Sequence, residues 1–550
     1  MSDNEPPDRS EDFRMIQTRR PRPARLGCTA ASLSVILLVA GACAQGPATA
    51  VAPTGPSIDM RIAQGPIRGV DEGDILSFKN IPYAAPPIGD LRWRAPHPAP
   101  RWTEVRDAGA YGDDCIQARP MWDDTQTRLP VSEDCLSLNV WTPKTRVDGP
   151  APVIVWIHGG GFVMGSGSQP IFDGARLAAR GAVVVTFNYR LGRFGFFSHP
   201  ALTAEAGAEP TGNYGLMDQV AALQWVHDNI ATLGGDPARV TIMGQSAGGS
   251  SVLQLMNIPQ AQDLFHRAIV QSGGGRDHWP VLRAPGDARS GESVGVAFAA
   301  AQNLRNATAA DLRAITADKV KGRLDLLTPE KDTYSGPIID GRLVTTQVMD
   351  AFQRGAQSNV PMIIGATDME LGVIPAVFRG LLADRTMEDA GVPRESLMAV
   401  YGDRNALNTW MSSELTFIEP ARRLAALGAE KGRAVWLYSF GYVQEGKRRD
   451  TAGAGHSTDT PYSFDNLNRA KGPFTEADQK IATAMADYWV AFARNGRPDA
   501  AGQAAWPRYD ARTDQALLVG ETGVTLGAAP NAARLNALSL LRDSLAAPSR

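Results

Sequence analysis

Short apolar runs bounded by glycine, proline or asparagine constrain the fold of this chain more than any other feature. They cover residues 153–157, 183–187, 240–243, 269–271 and 362–364. Because these runs do not alternate polar with apolar residues, they are typical of strands buried on both faces of a parallel sheet. A helical pattern lies between two of them, at residues 215–233. The alternation predicts an α/β fold with a large, mainly parallel central sheet flanked by helices.

Two stretches richer in helix formers, at about 283–355 and 378–431, predict a helical cap region over the carboxyl edge of the sheet. No linker divides residues 57–545, which we interpret as one large catalytic domain.

The chain has 550 residues, 43% of them hydrophobic, and a net charge of -3. That composition supports a full core, and it lacks the basic surface that nucleic acid requires.

The first 44 residues predict an export signal. A basic stretch precedes an uncharged apolar segment of 16 residues, 27–42, which is shorter than the roughly 20 residues that span a bilayer. This pattern indicates a periplasmic or extracellular protein, with an uncleaved N-terminal membrane anchor as the alternative. Cys43 stands where a lipoprotein signal is acylated, so a lipid anchor there stays open. Residues 45–56 are interpreted as a linker.

Outside the predicted export signal the chain has one pair of cysteines, since Cys28 and Cys43 of the four belong to the signal region. The remaining Cys115 and Cys135 would close a loop of about 20 residues, a bridge that contributes roughly 3 kcal/mol. Two buried free thiols are the alternative. The chain shows no spacing typical of a zinc site, so we predict neither a metal nor a cofactor.

Residues 244–248 read Gly-Gln-Ser-Ala-Gly and lie directly between a predicted strand and a predicted helix. A serine in such a tight turn has strained backbone angles and an exposed hydroxyl group, which suits a nucleophile. The motif predicts that Ser246 attacks a carbonyl group. The helix that follows directs its free N–H groups towards the same place.

A serine nucleophile needs donors for the oxyanion that forms on the attacked carbonyl group. The run His-Gly-Gly-Gly at residues 158–161 follows the strand at 153–157. We predict that the N–H groups of Gly160, Gly161 and Ala247 are these donors. His158 is interpreted as a residue that orders the loop.

The base is predicted by elimination among seven histidines. In α/β-hydrolases the order along the chain is serine, acid, histidine, which leaves His266, His278 and His456. His266 lies in an apolar run, and His278 leaves too little chain for a strand that could carry the acid. His456 lies in a glycine-rich loop after the strand-like run 434–440 and is therefore the predicted base. Either Asp368 or Glu370, after the strand at 361–365, could be the acid.

The chain resembles the type-B carboxylesterase family, which includes the cholinesterases and bacterial para-nitrobenzyl esterases. The resemblance lies in residues 78–87 (FKNIPYAAPP), 132–143 (SEDCLSLNVWTP), 158–167 (HGGGFVMGSG), 188–196 (NYRLGRFGF) and 213–273. It implies an α/β-hydrolase fold and hydrolysis of carboxylic esters without a cofactor. By position it implies Ser246 as nucleophile, Glu370 as acid, His456 as base, Gly160, Gly161 and Ala247 as oxyanion hole, and a Cys115–Cys135 disulfide.

The chain departs from the family at four positions. Gln245 stands where cholinesterases have glutamate, which disfavours choline esters. Met369 and Leu371 replace the usual neighbours of the acid, so Asp368 remains the alternative to Glu370. Asp459 takes the place of the family's later carboxylate. We expect a serine esterase that forms an acyl-enzyme with a small or medium ester; a specialised lactone or amide hydrolase and a non-catalytic binding module are the alternatives.

Overall fold

A 13-stranded sheet organises the protein. The computed structural model describes residues 55–120, 127–145, 149–286, 288–372 and 374–546. The predicted export signal, most of the linker, and Cys28 and Cys43 lie outside the described residues.

The strands are β1 Ser57–Arg61, β2 Pro66–Asp71, β3 Ile75–Pro82, β4 Arg106–Asp107, β5 Asp114–Cys115, β6 Val131–Ser132, β7 Ser137–Pro143, β8 Ala151–Ile157, β9 Val183–Phe187, β10 Gly235–Gln245, β11 Arg267–Gln271, β12 Met362–Thr367, β13 Val435–Phe440, β14 Gln515–Gly520 and β15 Gly523–Ala528. Their order in the large sheet is β1-β2-β3-β7-β9-β8-β10-β11-β12-β13-β14-β15, and β4 pairs with β2. The pairs from β9 through β14 are all parallel. Antiparallel pairs form both edges of the sheet.

The central strands are buried on both faces, as their uninterrupted apolar sequences predict. In β8, Val153 and Val155 pack into one apolar cluster, while Ile154 and Trp156 pack into the cluster on the other face. Successive side chains of a strand point to opposite faces, so only a strand covered on both sides contains apolar residues at every position.

The helices are α1 Ala175–Ala179, α2 Gly192–Gly195, α3 Pro200–Ala206, α4 Tyr214–Asn229, α5 Ala247–Leu255, α6 Gly291–Ala301, α7 Ala309–Arg313, α8 Ala317–Lys321, α9 Val348–Arg354, α10 Ala376–Ala390, α11 Arg394–Tyr401, α12 Arg404–Ser413, α13 Glu419–Glu430, α14 Thr460–Ser463, α15 Glu476–Asn495 and α16 Ala532–Ala546. Residues of α4 and α5 belong to the first apolar cluster, and residues of α1 and α15 belong to the second. The sheet is therefore covered by helices on both faces.

The predicted cap stretches contain helices α6 to α9, between β11 and β12, and α10 to α13, between β12 and β13. Helices α10, α11 and α12 share a separate apolar cluster with α16. A π-helical turn, Glu414–Ile418, joins α12 to α13. This turn reaches the candidate site described below.

Cys115 and Cys135 form a disulfide, which indicates a non-reducing environment. None of the helices in the described ranges is both long and apolar enough to traverse a bilayer. The described part of the chain also contains no cluster of side chains suited to hold a metal ion.

Candidate active site

Ser246 occupies a sharp turn between β10 and α5. Its backbone angles, φ 57° and ψ -125°, cost a residue other than glycine about 1–3 kcal/mol. Gly248 permits the turn, because a Cβ atom there would lie 1.9 Å from the carbonyl oxygen of Ile157. The N–H group of Ser246 donates to the carbonyl oxygen of Gln271 over 2.9 Å and ties the turn to the end of β11. The predicted strand–turn–helix context is present.

Gly160, Gly161 and Ala247 meet beside this turn. A Cβ atom on the preceding Gly159 would lie 3.1 Å from the Cβ of Ser246. Gly160 has a φ of 102°, and a Cβ there would lie 2.1 Å from the carbonyl oxygen of Met164. Within the described residues, the N–H groups of Gly160 and Gly161 have no hydrogen-bond acceptor. Ala247 is the first residue of α5, where N–H groups lack an intrahelical acceptor, so all three groups are available to an oxyanion.

His158 is part of the support for this loop. Its Nδ1 lies 2.8 Å from the carbonyl oxygen of Gly159, and its ring stacks on Tyr189 with 4.4 Å between the ring centres. Burial lowers the pKa of His158 to about 4, so the ring stays neutral at physiological pH. These contacts agree with the interpretation that His158 orders the loop.

The structure brings Glu370 and His456 together. His456 Nδ1 hydrogen-bonds to Glu370 Oε2, and the N–H of His456 donates to the carbonyl oxygen of Glu370 over 2.9 Å. Burial disfavours the charged imidazolium, but the Glu370 carboxylate, followed by Asp459, outweighs it and raises the pKa of His456.

Glu370 is buried and held by two further donors. Its Oε1 accepts the hydroxyl group of Ser272 at 2.5 Å and the N–H of Thr367 at 2.8 Å. Ser272 directly follows β11 and is itself buried. Since the second oxygen faces His456, hydrogen bonds fix both oxygens of this carboxylate.

Asp368 lies near Glu370 but has no contact with His456 among the described hydrogen bonds. It accepts the N–H of Ala454 over 2.8 Å and lines a neighbouring pocket together with Arg422 and Tyr438. Burial raises the pKa of Asp368 to about 6. Of the two acids that the sequence leaves open, the one beside His456 is Glu370.

Asp459 is a second buried carboxylate behind His456. Its Oδ2 accepts hydrogen bonds of 2.9 Å from the hydroxyl group of Tyr438 and from Nε2 of Gln271. Burial, together with the charge of Glu370, raises the pKa of Asp459 to about 6. Asp459 therefore acts on His456 through its charge, without a direct hydrogen bond.

The other ring nitrogen of His456 faces Gln245, the residue before the nucleophile. The Gln245 Nε2 and His456 Nε2 atoms are 3.2 Å apart. In the described structure no hydrogen bond joins Ser246 to His456. Catalytic hydrogen bonds are often long without substrate and shorten only in the reacting complex.

Phe417 covers one face of His456. The rings stack with 4.6 Å between their centres and 30° between their planes. Phe417 belongs to the π-helical turn Glu414–Ile418, and such turns are frequent at functional sites. Phe417 was not predicted from the sequence, because no local pattern marks it. Ser272 was not predicted either, although it stands at the carboxyl end of a predicted strand, where α/β sites form.

Buried ion pairs fix both ends of the π-helical turn. Glu414 pairs with Arg534 of α16 at 2.5 Å, and Tyr401 donates to it at 2.7 Å. Glu419 pairs with Arg276 at 2.7 Å and with Arg542 of α16 at 3.4 Å. The position of Phe417 therefore depends on contacts with α16.

Residues 56–389 and 402–538 match the sequence model described as "Carboxylesterase family". The chain belongs to the carboxylesterase family. Over 497 residues it is 35% identical to the Fumonisin B1 esterase of Sphingopyxis macrogoltabida, covering 87% of this chain and 90% of that protein. Over 472 residues it is 35% identical to the para-nitrobenzyl esterase of Bacillus subtilis (strain 168), covering 83% and 93%.

Solved structures of carboxylesterases share the fold. A thermophilic PNB esterase superimposes with a TM-score of 0.77 at 31% identity, covering 87% of this chain and 99% of that one. A carboxylesterase of Geobacillus stearothermophilus gives a TM-score of 0.73 at 32% identity. The predicted α/β-hydrolase fold is confirmed, and the protein is a carboxylesterase whose substrates are small-molecule esters.

Proposed function

We propose that this carboxylesterase hydrolyses esters through a Ser246–Glu370–His456 triad and an acyl-enzyme. His456 Nε2 accepts the proton of Ser246 as its oxygen forms a bond with the ester carbonyl carbon. The N–H groups of Gly160, Gly161 and Ala247 donate to the resulting oxyanion. When the carbon–oxygen bond to the alcohol breaks, His456 returns the proton to the departing oxygen.

Deacylation repeats these steps with water. His456 accepts a proton from the water molecule as its oxygen attacks the acyl carbon, and the bond to Ser246 then breaks. The acid is released, and Ser246 regains its proton from the imidazolium. Glu370 stays ionised throughout, holds the tautomer with hydrogen on Nδ1, and stabilises the imidazolium.

The observation that carries the proposal is the hydrogen bond of His456 Nδ1 to Glu370. A base with one nitrogen fixed by a buried carboxylate can present the other to a nucleophile. The strained turn at Ser246 and the unpaired N–H groups beside it add the two further components that acyl transfer requires.

The test is labelling with a fluorophosphonate, read by intact mass. We expect one adduct on the wild type and on Ser250→Ala, a control one helical turn further along α5, and none on Ser246→Ala. Ser246→Ala should also lose ester hydrolysis by about 10⁶-fold. An adduct on Ser246→Ala would mean that another residue is the nucleophile. No adduct on the wild type would favour a non-catalytic binding module.

We further propose that the substrate is a small or medium ester. A series of 4-nitrophenyl esters of increasing acyl length should give the highest kcat/KM at short to medium chains. Faster turnover of lactones or amides than of every ester in the series would instead favour a specialised member of the family.

Export belongs to the same proposal. We propose that residues 1–44 are an export signal, that residues 57–545 form the catalytic domain, and that the enzyme works in the periplasm or outside the cell. The Cys115–Cys135 disulfide supports this location. Mass spectrometry of the mature N-terminus, with Cys43→Ala as control, distinguishes a free, an acylated and an uncleaved form.

A further inference from the structure

Gln117 connects the disulfide to the loop that carries the oxyanion glycines, residues 158–165, here called the oxyanion loop. Gln117 Nε2 donates to the carbonyl oxygen of Gly165, and the N–H of Gly165 donates to Gln117 Oε1, each over 2.8 Å. Gln117 Nε2 also donates to the carbonyl oxygen of Cys115 over 3.1 Å, and Cys115 is disulfide-bonded to Cys135. The side chain of Gln117 is buried, so protein groups satisfy both ends of its amide.

Gly165 closes the oxyanion loop against the residues at which the loop begins. A Cβ atom on Gly165, whose φ is 115°, would lie 2.4 Å from His158 Nδ1 and 2.6 Å from the carbonyl oxygen of Gly159. That nitrogen and that oxygen are 2.8 Å apart, and Nδ1 is the donor because a carbonyl oxygen only accepts. The backbone of Gly165 therefore lies against the hydrogen bond that fixes the carbonyl group of Gly159.

The two glycine donors are directed by the carbonyl groups of their own peptide units. The N–H of Gly160 shares a planar peptide group with the carbonyl of Gly159, and the N–H of Gly161 shares one with the carbonyl of Gly160. The carbonyl oxygen of Gly160 accepts the N–H groups of Val163 at 3.0 Å and Met164 at 3.1 Å. Because each peptide group is rigid, holding its carbonyl also fixes the direction of its N–H.

Gln117 supplies the hydrogen bonds at the end of this arrangement. Within the described part of the chain, the backbone of Gly165 forms hydrogen bonds with Gln117 and with no other residue. Gly167, two residues further on, has a separate support, since its N–H donates to Asn188 Oδ1 over 2.9 Å. Loss of the Gln117 amide should therefore loosen the oxyanion loop and leave its attachment at Gly167 intact.

We propose that Gln117 is a positioning residue for the oxyanion hole, which holds Gly165 so that the N–H groups of Gly160 and Gly161 point at the attacked carbonyl oxygen. It acts through the backbone and does not touch the substrate. An amide suits this place, because it offers a donor and an acceptor side by side to the C=O and N–H of one glycine. This inference rests on the proposed function, in which those N–H groups bind an oxyanion.

The test is Gln117→Met, which keeps a side chain of similar length and removes both hydrogen bonds with Gly165. We expect kcat/KM for 4-nitrophenyl butanoate to fall about 10- to 100-fold, mainly through kcat, because displaced donors weaken binding of the transition state more than that of the substrate. The inhibitor 1,1,1-trifluoroheptan-2-one measures the same loss independently. Addition of Ser246 to its carbonyl carbon leaves a negative oxygen in the oxyanion hole, so its inhibition constant should rise by about the factor by which kcat/KM falls.

Asn229→Leu is the matched control. Asn229 is also a buried amide that joins two backbone segments, since it accepts the N–H of Ala63 over 2.9 Å and donates to the carbonyl oxygen of Trp225 over 3.0 Å. It ends α4 and has no hydrogen bond to the oxyanion loop within the described residues. We expect Asn229→Leu to lower the free energy of unfolding in urea but to leave kcat and the inhibition constant unchanged.

Gln117→Glu is the second variant and decides the question if Gln117→Met does not fold. A carboxylate accepts from the N–H of Gly165 but cannot donate to its carbonyl oxygen, so this change should also lower kcat and raise the inhibition constant.

Folded Gln117 variants with the kcat and the inhibition constant of the wild type would overturn this inference alone. A fall in kcat/KM without a matching rise in the inhibition constant, or equal effects in Asn229→Leu, would make Gln117 a structural residue and also overturn it. A wild type that hydrolyses no 4-nitrophenyl ester would overturn the proposed function and this inference with it.

Discussion

The two nitrogen atoms of His456 have very different surroundings. Nδ1 faces Glu370, a buried carboxylate that also accepts hydrogen bonds from Ser272 and Thr367. Nε2 faces the side-chain amide of Gln245. Ser246, the residue with which Nε2 exchanges a proton in the proposed mechanism, has no hydrogen bond to it within the described structure. The contacts of Nδ1 with the acid, here called the acid side, are thus complete. The contacts of Nε2 with the proposed nucleophile, here called the nucleophile side, are not.

The hydrogen bond between His456 and Glu370 is already present in the folded protein, whereas the hydrogen bond between His456 and Ser246 is not. A buried carboxylate must be paired in the folded protein, because leaving it unpaired is costly. In the proposed mechanism the contact between His456 and Ser246 forms at the partly exposed side of the ring, where the amide of Gln245 holds Nε2 until an ester arrives. An amide suits that place, since it donates to neutral imidazole and can rotate to accept from imidazolium.

The largest expected effect on activity comes from removing the charge of Glu370. Glu370→Gln should reduce kcat about 10³- to 10⁴-fold, because an amide no longer stabilises the imidazolium and can favour the wrong tautomer. Steady-state kinetics with a neutral ester measures this loss.

The matched control is Asp368→Asn, which keeps an acceptor for the N–H of Ala454. It should retain most of the activity. A larger loss in Asp368→Asn than in Glu370→Gln would mean that Asp368 is the acid of the triad.

Gln245→Glu tests how the residue beside Nε2 affects the protonation of His456. A carboxylate at Nε2 favours the protonated ring, and only the neutral ring can accept the proton of Ser246. The acid limb of the pH profile of kcat/KM, already displaced upward by the raised pKa of His456, should move about one unit higher. Activity below this limb should then fall about tenfold.

Gln245→Met, which removes the hydrogen bond without adding charge, is the control for that shift. It should move the acid limb much less. Identical pH profiles for the wild type and Gln245→Glu would show that Gln245 does not contact the ring in solution.

The smallest expected effect on activity comes from Ser272→Ala. This change removes one donor to Glu370 but leaves Thr367 and His456 in place, so kcat/KM should fall less than in Gln245→Glu. The free energy of unfolding, measured in urea, should fall by about 1.5–3 kcal/mol, since the lost hydrogen bond reaches a buried charge.

Ser463→Ala provides the comparison for Ser272→Ala. Ser463 is equally buried and accepts from Gln271 over 2.8 Å. It should lose stability with little change in kcat/KM. Equal losses of activity in both variants would mean that Ser272 does not act through Glu370.

The centre of the fold follows from sequence because each of its strands is buried on both faces. The runs at 153–157, 183–187 and 240–243 coincide with β8, β9 and β10, apart from residues at the ends. The edge strands escaped prediction for a physical reason. Residues 57–61 alternate between partial burial and exposure, so their sequence resembles that of a polar loop.

Within the site, the residues that the local backbone geometry requires were predictable from the sequence. Contacts between residues far apart in the sequence were not. The turn at Ser246 and the loop at Gly160 need glycines at fixed positions, and those glycines are visible in the sequence. The choice between Asp368 and Glu370 depends on which carboxylate faces a loop 86 residues away. The π-helical turn that carries Phe417 is held in part by a helix more than a hundred residues further on, and no local pattern reports such a contact.

That attachment has a consequence for the order in which the chain can assemble the site. All strands and the three proposed triad residues precede α16 in the chain, since Ala532–Ala546 follows every strand. Until α16 docks, Glu414 and Glu419 keep Tyr401 and Arg276 as partners but lack Arg534 and Arg542. The pair of acid and histidine can therefore form before the aromatic cover of the histidine has all of its supports.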